Sequence, residues 1–168
     1  DNQNISMNIS FNGINTLQSG NRDVVYTIDY GGASGLNGYN DDMYGINPSR
    51  RRAIDKMMQH VYQDPFKDTY TNIFKKSLDS SIEFTEAIDA VPEFTTPFTD
   101  NWLSNNFKMI AKVISAREKL GFSKQIFYID LGGWDMHDEL LDSQQYYLNM
   151  VDTAISEFYN VLNEINML

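Results

Sequence analysis

Gln125-Ile126-Phe127-Tyr128-Ile129-Asp130-Leu131, followed at once by Gly132-Gly133-Trp134-Asp135-Met136-His137-Asp138, is the stretch on which the fold turns. Its first half is a short apolar run rich in β-branched and aromatic residues, as in a buried strand. The two glycines allow a sharp turn without side-chain clashes. A polar cluster comes next, and beyond it a long amphipathic helix from about Glu139 to Asn166. Strand, glycine turn, polar cluster and helix describe an α/β unit. In open α/β sheets, ligands sit at the carboxyl end of such a strand.

Within the cluster, Asp135 and His137 are two residues apart, so an extended segment points both side chains the same way. A carboxylate and an imidazole side by side make half of a divalent-metal site, for zinc, manganese or calcium. More ligands are needed to complete it. The competing reading is structural. Asp138, jointly with Asp135, caps the last helix by accepting backbone N–H bonds, and His137 donates to a nearby carbonyl. His60, the second of two histidines, lies off the apolar face of its helix and is expected to be exposed and unrelated.

Upstream, Ile5, Met7, Ile9 and Phe11 alternate with polar residues, the period of a half-buried strand. Val24 to Ile28 is a second strand candidate, and Asn12-Gly13 and Ser19-Gly20 are turn signals between the two. Residues 29–46 form a long glycine-rich connection, which is either functional or poorly ordered. Within it, the segment from Asn37 to Asp42 is dense in oxygen ligands. It lacks the spacing and final glutamate of an EF-hand and is read as a loop.

Helices follow. Asn47-Pro48 offers an N-cap and a first-turn proline, and Ile54, Met57, Met58 and Val61 share one face. Asp64-Pro65 starts a second helix carrying Phe66, Tyr70, Ile73, Phe74, Leu78, Ile82 and Ile88 at helical spacing. Pro92 and Pro97 interrupt, Trp102 to Leu120 forms a third helix, and Gly121 stops it. In the last helix, Leu141, Leu148, Ile155 and Leu162 recur every seven residues with Val151, Phe158 and Ile165 between them, a heptad seam suited to covering a sheet or to pairing with another helix. The expectation is one domain, or part of a larger one, over 1–168. It divides into a strand and loop region (1–46), a helical region (47–122) and the strand, turn and long helix (123–168).

Composition narrows the function. The formal charge is −10, and residues 125–168 hold eight acidic groups and no lysine or arginine. Such a surface repels phosphate backbones and argues against nucleic-acid binding. No apolar run is long enough to span a membrane. There is no cysteine, which excludes disulfides, thiolate metal sites and a cysteine nucleophile. No P-loop, GxGxxG fingerprint or GxSxG elbow is present, and no serine triad can be assembled. The chain opens on Asp1 and reads as a processed or trimmed product.

The run from Lys124 to Asp138 resembles the GGWDTH or GGFDTH signature of a bacterial family, domain of unknown function 1501. Ile110 to Gly121 resembles the helix before that signature, Leu141 to Leu162 the helix after it, and Asn4 to Gly20 an upstream region. The resemblance covers most of the chain and is densest over 107–165. It implies a helix-rich part of an alkaline-phosphatase-like or sulfatase-like α/β/α fold, with about four helices and a few strands. It also implies export, often by the twin-arginine route, and a periplasmic setting. Asp135 and His137 then match the motif's candidate metal ligands, with Gly132, Gly133, Trp134 and Asp138 as the supporting turn. Met136 stands where the family has threonine, so a hydroxyl that could orient a ligand is missing. The family's later Ser-Glu/Asp-Phe-Gly-Arg-Thr segment and Asp-His pair have no counterpart, so the chain is expected to be a piece of a longer parent.

Three functions fit. The first is part of a metal-dependent hydrolase acting on phosphate or sulfate esters, inactive by itself. The second is a non-catalytic binding or structural protein of the same fold. The third is a helical interaction module using the 141–165 seam. An open sheet edge favours a homo-oligomer.

Overall fold

The computed structural model describes residues 4–21, 24–36, 38, 39, 45 and 47–168. Asn37 and Asn40 to Asp42, which carry most of the oxygen-rich loop, lie outside the described residues. The described residues form a helix-rich α/β unit of four helices and a small mixed sheet. The strands are β1 (Asn8–Ser10), β2 (Tyr26–Asp29), β3 (Gly32–Ala33) and β4 (Ile126–Tyr128). The helices are α1 (Asn47–Gln59), α2 (Pro65–Asp89), α3 (Trp102–Ser115) and α4 (Leu140–Glu164).

The sheet order is β3-β2-β1-β4. β1 pairs in parallel with β2 on one side and with β4 on the other, Ile9 facing Tyr26 and Phe127. β3 folds back antiparallel on β2 through Tyr30 and Gly31, where the Gly31 amide donates to Asp29 Oδ1 at 2.7 Å. The glycine-rich connection therefore begins with a hairpin strand, too short to leave a pattern in the sequence.

The alternation in β1 decides the packing. Ile5, Ile9 and Phe11 are buried with Phe84 and Ile88 of α2 and Met109, Ile110 and Val113 of α3. Asn8 and Ser10 alternate with them, so they point to the other face, and both are buried as well. Residues 15–18 meet that face. Gln18 Nε2 donates to the carbonyls of Ile9 and Ile126, at 3.2 and 3.4 Å, and Asn15 Nδ2 donates to Ser10 Oγ at 3.4 Å. Amide side chains thus satisfy polar groups that would otherwise be costly to bury.

β4 is an edge strand rather than a buried one. Among the described residues β1 flanks it on one side only, Ile126 is exposed, and Phe127 and Tyr128 are half-buried. An apolar run of this length looks the same at the centre or the edge of a sheet.

Local chemistry sets the helix ends. Asp64 Oδ1 accepts from the amides of Phe66 and Lys67, at 2.9 and 3.3 Å, ahead of Pro65 in the first turn of α2. Asn101 caps α3 through the Ser104 amide at 2.9 Å. α3 ends at Ser115, earlier than Leu120, and the chain turns on to Gly121 with φ +69°. Among the described residues, no helix is long and apolar enough to cross a membrane.

α4 packs against α3 through Phe158, stacked on Phe107 with ring centroids 5.0 Å apart, and through the buried Ala154 and Val161. The heptad seam therefore splits: Phe158 meets α3, whereas Leu141, Leu148 and Ile155 are exposed. Two carboxylates tie α4 to the segment between α2 and α3. Glu157 accepts from the amide and hydroxyl of Thr99, and Glu164 from the amides of Thr95 and Thr96 and the Thr96 hydroxyl, all within 2.8 Å. These bonds, the Thr96 hydroxyl first, pull the Glu164 carboxyl down to about 2 from an ordinary 4.5.

A depressed carboxyl stabilises the fold above its unfolded value and loses that contribution as pH falls through its folded value. The difference in melting temperature between the protein and Glu164→Gln should therefore be full at neutral pH. It should shrink as pH drops from 4.5 to about 2. A difference independent of pH over that window would remove Glu164 as the anchor.

Candidate functional site

The cluster singled out by sequence lies where β4 runs out, at the carboxyl end of the parallel strands. β1 and β4 are locked there by Asn12. Its Oδ1 accepts from the Asp130 amide at 2.7 Å, and its Nδ2 donates to the Asp130 carbonyl at 2.9 Å. The side chain thus continues the β1–β4 ladder beyond its last backbone bond, Phe11 N–H to the Tyr128 carbonyl at 3.0 Å. Sequence reading took Asn12-Gly13 only as a turn. The clamp reaches a partner 118 residues away, and no local pattern announces it.

From Asp130 the chain passes through Gly132 and Gly133, and the two glycines are not equivalent. Gly133 has φ +92°, and a Cβ there would collide with the ring and hydroxyl of Tyr147 in α4. Gly132 lacks a positive φ, and a Cβ there would meet nothing within 4 Å. Only Gly133 is required by the geometry. Trp134 then fastens the turn. Its indole Nε1 donates to the Leu131 carbonyl at 2.7 Å, and its ring lies 5.3 Å from that of Tyr147.

Asp135 and His137 do project together, with Asp135 Oδ2 3.3 Å from His137 Nε2. Both are open to solvent, their side chains 90% and 85% exposed. His137 therefore meets Asp135 rather than a backbone carbonyl. The capping role expected of Asp138 is absent. The N-cap of α4 is Glu139, in the left-handed region at φ 50°, and no side chain caps it. Asp135, Asp138, Glu139 and Asp142 crowd the start of α4, whose helix dipole favours negative charge there. His60 is exposed, its ring edge-on to Tyr62 at 4.6 Å, away from this cluster.

A carboxylate oxygen and an imidazole nitrogen on one side of a strand-end loop suit a borderline divalent cation. They make two donors. Among the described residues, no three of His, Asp and Glu stand close enough to share one ion. The donor types suit a divalent cation, and the cluster supplies two of them.

Removing the clamp or the turn should register in stability. Asn12→Ala should cost about 1–2 kcal/mol in urea denaturation, the worth of its two hydrogen bonds. Gly133→Ala should cost about as much from backbone strain alone, and Gly132→Ala far less. Equal effects at the two glycines would contradict the turn geometry. No protein-family model, curated protein or solved structure matches the chain.

Proposed function

We propose that the chain is part of a metal-dependent hydrolase-like protein acting on phosphate or sulfate esters, with Asp135 and His137 as half of its metal site. The observation that carries this is the 3.3 Å approach of Asp135 to His137 at the end of a parallel strand. Ligands of open α/β sheets bind in that place. The resemblance of Lys124 to Asp138 to the domain of unknown function 1501 signature supports the same assignment. Export to the periplasm and the ester class of substrate rest on that resemblance.

A zinc, manganese or calcium ion bound there would polarise an ester oxygen. The chain's own residues present and orient the donors. Asn12 holds the end of β4 against β1, Trp134 ties the turn to Leu131, and Gly133 lets the loop pass close to Tyr147. The remaining ligands and the nucleophile would come from residues not gathered at this cluster.

A second reading has its own observation. Leu141, Leu148 and Ile155 form an exposed apolar seam on α4, which favours an interaction role for that helix.

The two histidines provide an internal control for the first reading. Titration with Mn²⁺ should broaden the His137 imidazole resonances well before those of His60, and Asp135→Ala should abolish the difference. Equal broadening of both rings would overturn the ligand assignment.

A further inference from the structure

α1 and the first half of α2 enclose an apolar groove of about 710 Å³. Its walls include Met57, Met58, Phe66, Tyr70 and Phe74, with Lys67 beside them. Phe66 is 87% exposed, and Met57 and Tyr70 are exposed as well. All the buried residues of α2 lie between Leu78 and Ile88, so the half that forms the groove contributes nothing to the core.

The groove is set in basic sequence. Residues 47–76 carry seven lysines and arginines against three aspartates, a net of +4. α4 carries no lysine or arginine; Glu157 and Glu164 are held by Thr95, Thr96 and Thr99 of the same chain, which leaves Asp142 and Asp152 for a partner, and its apolar seam faces solvent. One face is an apolar groove lined in part by Lys67, in a segment of net positive charge, and the other is an amphipathic helix with acidic and no basic side chains. Helix-in-groove docking needs this pairing of apolar anchors and complementary rims.

We propose that the α1–α2 groove receives α4 of a second copy of this chain, Leu148 and Ile155 entering between Met57, Phe66 and Tyr70. This rests on the reading of the α4 seam as a docking surface. The lengths agree. Leu148 and Ile155 are about 10 Å apart along α4, and Phe66 to Phe74 spans about 12 Å along α2. Asp152 is four residues after Leu148 and three before Ile155, on the same face, so it enters with them toward the groove that Lys67 lines.

Groove and seam are different surfaces, so two copies that exchange them reciprocally close as a dimer, and copies that pair them one way only continue past it.

Sedimentation velocity of the chain over a concentration series tests this. The average mass should rise with concentration to that of a dimer or beyond. It should fall as salt is raised from about 0.05 to about 0.5 M, because screening shortens the reach of the charged rims. Leu148→Gln with Ile155→Gln, and separately Phe66→Gln with Tyr70→Gln, should each raise Kd at least about tenfold. Circular dichroism should show both variants folded, since all four side chains are exposed. An equimolar mixture of the two variants keeps one intact groove and one intact seam, so it should form a dimer and nothing larger.

A mixture that stays monomeric, or a wild-type chain that never associates, overturns the proposal. A groove variant that associates like wild type while the seam variant does not also overturns it, and leaves the seam as a docking surface for itself. A seam variant that associates like wild type removes the docking reading of α4 altogether.

Discussion

β1 and β4 pair in parallel although the residues they align are more than a hundred positions apart, and this pairing holds the molecule together. Everything between them, including β2, β3 and three helices, is a loop closed by that contact. The entropic cost of closing such a loop is met before the contact forms, and it makes folding slower than a helical hairpin of the same size. Burial of Ile5, Ile9 and Phe11 beneath α2 and α3 offsets that cost, and Gln18 and Asn12 supply polar stitches across the same seam. If β4 slipped by one residue, its side chains would swap faces and Asn12 would lose the backbone of Asp130.

The site inherits its geometry from this pairing. Asn12 fixes where β4 ends, Gly133 and Trp134 fix how the chain leaves it, and Asp135 and His137 emerge together on the solvent side. The aromatic contact of Trp134 with Tyr147 then ties that exit to α4. The cluster and the acidic helix are therefore one mechanical unit, while α1 and the basic groove belong to another part of the chain.

What could be read from sequence was local. Asp64-Pro65 announces α2 because a cap and a first-turn proline act within three residues. The two-residue spacing of Asp135 and His137 predicts their common side for the same reason. The period of Ile5, Ile9 and Phe11 gives the buried face of β1 without knowing what buries it. The rest depended on distant partners. Ile126 to Ile129 looks central, yet β4 is an edge, because neighbours are not encoded in a strand's own composition. Of the heptad seam of α4, Phe158 takes the contact with α3 together with Ala154 and Val161, while Leu141, Leu148 and Ile155 stay exposed. Asp138 looked like a cap, and the chain instead enters α4 through Glu139 in a left-handed turn.

We propose that Asp135 and His137, brought together by strand pairing, are two donors to one cation. Anomalous diffraction from crystals grown with Mn²⁺ tests this most directly. A peak is expected about 2.0–2.3 Å from both an Asp135 carboxylate oxygen and a His137 ring nitrogen. Clear density for both side chains with no anomalous peak between them, or with the two turned apart, would contradict it.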